Sequence, residues 1–103
     1  MQYDDRANGQ LIEASVTEEF EVSLPETRTA GYRWALEKSG EPNLRLLEDK
    51  TEPNTSAVGG AGRHLWRFQA ASLGETELEL AYRRPWETTG PARTFVLKVR
   101  VRP

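Results

Sequence analysis

Apolar side chains fall on every second position through most of this 103-residue chain, a period that predicts strands rather than helices. Phe20, Val22 and Leu24 make one stripe and Tyr32, Trp34 and Leu36 the next. Trp66, Phe68 and Ala70 follow, then Leu78, Leu80 and Tyr82, and finally Phe95, Leu97, Val99 and Val101. Two weaker stretches, Leu11 to Val16 and Leu44 to Glu48, bring the strand count to about seven. In the second of these, Leu44, Leu46, Leu47 and Glu48 mix the strand and helix periods, so residues 38–52 are where a helix competes. Glycine and proline stand where the stripes stop, at Pro25, Gly31, Gly40, Pro42, Pro53, Gly59, Gly74, Pro85 and Gly90, and so stay out of strand interiors.

This pattern predicts an all-β fold, an immunoglobulin-like antiparallel β-sandwich of about seven to eight strands. The length suits a single domain with one core over residues 11–103, and the polar residues 1–10 are expected to be a loosely ordered N-terminal segment. Cysteine is absent, which removes disulfides, a thiol nucleophile and thiolate metal sites. Fourteen basic and sixteen acidic residues are interspersed, so there is no basic face for phosphates and no nucleic acid is expected as a partner. No run approaches the roughly 18 apolar residues of a membrane span, so no membrane partner is expected, and residues 1–10 show no signal-peptide pattern.

The chemistry-bearing residues argue against an enzyme. His64 is the single histidine, and a catalytic triad or zinc site would find no second imidazole or thiolate to complete it. Of the carboxylate groups, Glu75, Glu77 and Glu79 alternate with Leu78 and Leu80 and read as a solvated strand face. Neither Glu18-Glu19 nor Glu48-Asp49 has a sequence neighbour that marks it as a general acid–base pair. No catalytic residue, metal site or cofactor is expected.

If strands reverse direction at each connection, the connections after the second, fourth and sixth strands share one end of the sandwich. These are residues 25–31, 53–63 and 84–91, and they are the unusual ones. In the first, Thr27 and Thr29 offer small hydroxyls that suit a narrow cleft, and Gly31 re-enters a strand where a positive φ is expected. The second contains Gly59-Gly60-Ala61-Gly62, small residues that let an extended partner backbone come close. No Lys-Ser/Thr follows it and a strand comes next, so it does not read as a phosphate cradle. The third carries Arg84-Pro85-Trp86. Proline fixes its own φ, biases Arg84 towards an extended conformation and holds the indole outward, a combination enriched at binding surfaces. The competing reading folds that indole back over the end of its own sandwich.

In this order and spacing, Thr29-Ala30-Gly31-Tyr32 followed by Trp34, Gly59-Gly60-Ala61-Gly62 followed by Trp66, and Arg84-Pro85-Trp86 followed by Gly90-Pro91 resemble the chagasin family of cysteine-protease inhibitors. The resemblance implies a sandwich that reversibly closes the active-site cleft of papain-like cysteine proteases with three loops. It implies protease-binding roles for Thr27, Arg28, Thr29, Ala30 and Gly31 in the first loop, Gly59, Gly60, Ala61 and Gly62 in the second, and Arg84, Pro85 and Trp86 in the third. Thr29 would then lie at the catalytic cysteine, the second loop along the unprimed side, and Trp86 against an aromatic on the primed side.

The family's first loop usually reads Asn-Pro-Thr-Thr-Gly-aromatic and its second Gly-x-Gly-Gly, so Thr27, Arg28, Ala30 and Ala61 depart from the pattern. Many bacterial members are exported, which implies a periplasmic or secreted mature form rather than a cytoplasmic one; a monomer is expected. The alternative function is an immunoglobulin-like adhesion or carbohydrate-binding module, which would use its sheet faces rather than one loop end.

Overall fold

A computed structural model describes residues 1–27, 30–52 and 62–103. The expected stripes fall on β2 (Leu11–Ser15), β3 (Glu19–Glu26), β4 (Arg33–Ser39), β5 (Leu44–Glu52), β6 (Gly62–Ala70), β7 (Gly74–Arg83) and β8 (Arg93–Arg102), with Val16 just after β2 and Tyr32 just before β4. They are preceded by a short strand, β1 (Gln2–Tyr3), and a single 3-10 turn at Asp5–Ala7. Two four-stranded sheets, ordered β1-β3-β6-β5 and β2-β8-β7-β4, enclose one core. The alternating positions do what the period requires: Val22, Leu24, Phe68, Leu78, Leu80, Leu97 and Val99 are all fully buried.

The mixed spacing in residues 38–52 has a specific cause, and it is not a helix. β5 carries a bulge between Leu46 and Glu48, so Leu47 is an extra residue turned towards solvent. Beyond it the alternation changes phase. Asp49 and Thr51 now stand opposite Trp66 and His64 on the inward face, where an unbroken period would have placed Glu48 and Lys50.

The sandwich departs from the expected antiparallel plan at both N-terminal strands. β1 runs parallel to β3, and β2 runs parallel to β8, with Leu11 opposite Lys98 and Ser15 opposite Arg102. A chain that must return to strands formed much later has its direction set by tertiary pairing, which the alternation does not encode.

Residues 1–10 are accordingly tied down rather than loosely held. Ala7 is buried in the core, the Val96 amide donates to Asn8 Oδ1 at 2.8 Å, and the Gly9 amide donates to the Val96 carbonyl at 2.7 Å. Asp4 caps the 3-10 turn, accepting from the Arg6 side chain and amide, and these bonds hold its carboxyl below the usual carboxylate range. A lowered folded value means that this contribution is present at neutral pH and is lost as the pH falls through that value. Deleting residues 1–9 is expected to destabilise the domain by about 2–3 kcal/mol, the sum of two or three net hydrogen bonds and one buried methyl group. Urea unfolding midpoints measure this, and an unchanged midpoint would show the segment to be idle.

Strand register gathers the three unusual connections at one end. Glu26 pairs with Gly62, Glu52 with Arg63, and Arg33 with Arg83. At the opposite end a tight turn joins β6 to β7, held by the Asn43 side chain donating to the Leu73 carbonyl at 2.9 Å.

Candidate functional site

The third loop opens on a four-residue turn. The Glu87 amide donates to the Arg84 carbonyl at 3.1 Å, which puts Pro85 at the second position, where its restricted φ fits. Trp86 follows at the tip and is 68% exposed. Arg84 ties this turn to the first loop: its Nε donates to the Ala30 carbonyl at 3.0 Å, and an Nη donates to the Glu87 carboxylate at 3.1 Å. Its guanidinium also lies 4.5 Å from the centre of the Tyr32 ring. Beneath it, Tyr32 stacks on Tyr82 at 5.0 Å and Trp34 lies tilted against Tyr82 at 4.6 Å, and the Tyr82 hydroxyl accepts from the Thr27 amide at 2.7 Å. An aromatic column rooted in the core thus carries the first and third loops together.

Gly31 is required here twice over. Its φ is +86°, a left-handed conformation that side chains rarely adopt, and a Cβ at this position would sit 2.2 Å from the far edge of the Trp86 ring. The indole therefore rests on the first loop and remains open to solvent, so the reading that folds it into its own core does not hold. Beside it, a cleft of about 350 Å³ is lined by Thr27, Ala30, Tyr32, Tyr82, Ala92 and Arg93.

Of the residues singled out in the sequence, Thr27, Ala30, Gly31, Arg84, Pro85 and Trp86 are brought together, and Gly62 lies at the same end, opposite Glu26. Arg28, Thr29, Gly59, Gly60 and Ala61 lie outside the described residues. The first and second loops are shorter than expected at one end each, because Pro25 and Glu26 belong to β3 and Gly62 and Arg63 to β6.

Sequence reasoning missed a polar cluster just behind this end. His64 is buried and places Nδ1 3.0 Å from Glu26 Oε2, while its Nε2 hydrogen-bonds to Asp49 Oδ1. The Trp34 amide donates to the same Glu26 oxygen at 2.9 Å. One signal was available: Glu26 continues the inward set of Phe20, Val22 and Leu24, a carboxylate where the pattern demands burial. Asp49 had no such signal, because the β5 bulge moves it inward.

A profile of the chagasin family of peptidase inhibitors matches residues 13–99. Amoebiasin-1 of Entamoeba histolytica is 31% identical over 96 residues, covering 91% of this chain and 92% of that protein. Among solved structures, the cysteine protease inhibitor EhICP2 from Entamoeba histolytica superposes with a TM-score of 0.85 at 20% identity, covering 98% of this chain and 93% of that one. The solution structure of Amebosin gives 0.72 at 28% identity, with 98% and 96% covered. PbICP-C, solved in complex with falcipain-2, gives 0.73 at 20% identity, with 99% and 90% covered.

Proposed function

Because the chain belongs to the chagasin family of peptidase inhibitors, we propose that it inhibits papain-like cysteine proteases by seating the three-loop end of its sandwich in the active-site cleft. It is an inhibitor and not an enzyme. The observation that carries the cleft reading is the exposed Trp86 ring, held on Gly31 and locked by Arg84 before any partner arrives. A loop end already set in one conformation loses little entropy on docking, so more of its contact energy appears as affinity.

In this reading the first loop enters the centre of the cleft, with Thr29 at the catalytic cysteine and flanked by Thr27, Arg28, Ala30 and Gly31. Threonine presents a small hydroxyl and no strained or activated bond, so the protease is filled rather than fed. The second loop, Gly59 to Gly62, runs alongside as a backbone strip, and Trp86 packs on an aromatic across the cleft with Arg84 and Pro85 holding its turn. Binding is reversible because no side chain of this chain forms a covalent bond to the enzyme.

The distribution of exposed groups favours inhibition over a sheet-face binding module. Among the described residues Trp86 is the large aromatic left exposed, and it sits on the loop end. The sheet faces carry ion pairs instead, such as Arg83 with Glu37 at 2.8 Å and Arg67 with Glu19 at 3.0 Å.

Titration into papain tests the proposal. The expected result is reversible, substrate-competitive inhibition with the inhibitor recovered intact and trypsin unaffected. No inhibition of papain or cathepsin-type enzymes at micromolar concentration, or cleavage of a loop as the sole event, would contradict it.

A further inference from the structure

Nothing in the inhibitory reading uses Glu26, His64 and Asp49, yet the cluster joins four strands from both sheets directly behind the loops. Glu26 ends β3, just before Thr27; His64 stands near the start of β6, two residues beyond Gly62; Asp49 belongs to β5, which leads into the second loop; and Trp34 of β4 supplies its amide. Each imidazole nitrogen faces a carboxylate oxygen. A neutral ring has one N–H and donates to one of them, whereas an imidazolium donates to both. The ring also lies flat on the Trp66 indole, 4.1 Å between centres and 2° between planes, and an indole face favours a cation.

The nearest charged neighbours on β6 and β5 have partners of their own. Arg63 turns to Ser23, donating to its Oγ at 2.7 Å, and Lys50 pairs with Glu48 at 3.8 Å. Leu24 and Thr51, which stand opposite His64 on β3 and β5, are uncharged.

We propose that Glu26, His64 and Asp49 form a proton-dependent brace that fixes the spacing of the strand ends leading into the first and second loops, so that the inhibitor grips its protease more tightly at mildly acidic than at alkaline pH. This rests on the inhibitory reading above. When the ring loses its second proton, one carboxylate loses its donor. The Glu26 side chain is fully buried, whereas that of Asp49 is 48% exposed, so Asp49 is the partner that water replaces. The end of β5 is then released from β6.

Calorimetric binding to papain carrying serine in place of its catalytic cysteine, between about pH 5.5 and about pH 9, tests the brace. Wild-type affinity is expected to fall about tenfold across this range, the equivalent of one hydrogen bond to a charged group. Asp49→Ala, which removes the partner of the outer ring nitrogen, is expected to bind at the weaker level throughout; the ratio of the two affinities cancels the enzyme's own titrations. Nitrogen-15 spectra of the His64 ring should show both nitrogens protonated in the wild type under mild acid and one in the variant. A constant affinity ratio, or a singly protonated wild-type ring in mild acid, would overturn the brace. A wild type that binds at no pH would sink the inhibitory reading instead. The free protein then decides the brace alone: Thr27 and Gly62 amide resonances that shift in step with the ring support it, and resonances that stay still overturn it.

Discussion

Replacing Trp86 with alanine is expected to weaken protease inhibition roughly 30- to 1,000-fold, the effect of truncating a desolvated interface tryptophan by about 2–4 kcal/mol, while leaving the melting temperature almost unchanged. The split follows from where the ring sits. At 68% exposure it contributes little to the core, and its intramolecular contact is with Gly31 of a neighbouring loop. Gly31→Ala is expected to reproduce part of the loss, since the new methyl group has to displace the indole from its seat. Inhibition constants and thermal melts on the same samples measure both effects. A Trp86→Ala protein that inhibits normally would show that the anchor lies elsewhere on the surface.

Trp66→Ala is expected to act in the opposite sense, costing about 3–5 kcal/mol of folding stability through the cavity it leaves. Trp66 is 1% exposed, and its ring also carries His64, so its removal loosens the polar cluster as well as the core. Trp34→Ala is expected to be comparably destabilising: the ring is buried against Tyr82, and its Nε1 donates to the Pro25 carbonyl at 2.9 Å. Chemical denaturation of the three tryptophan variants side by side separates the one indole that faces outward from the two that build the sandwich.

The inward set of strands was readable because a period of two is a local property: Phe20, Val22 and Leu24 announce their face whatever they pair with. What failed to show was whatever depends on a partner or on a one-residue shift. The parallel pairing of β2 with β8 joins segments far apart in the chain, and nothing in Leu11 to Ser15 states which way its neighbour runs. The first ten residues look polar and dispensable, yet Asn8 and Gly9 clasp Val96 through backbone groups that composition does not weigh. The β5 bulge at Leu47 blurs the period and carries Asp49 to the inward face. At the loop end, Arg84-Pro85-Trp86 and Gly31 were each legible, but the seating of the ring on the glycine is a contact between loops more than fifty residues apart and needed the fold.

The central claim is that the loop end, and no other surface, meets the protease. Amide and indole resonances of the nitrogen-15-labelled inhibitor, followed while inactive papain is added, read the contact surface residue by residue. The account predicts that Gly31, Gly62 and the Trp86 indole shift or broaden while Ser72, Leu73 and Gly74 at the far end stay in place. Changes spread over the outer faces of either sheet, with the Trp86 indole unmoved, would contradict it.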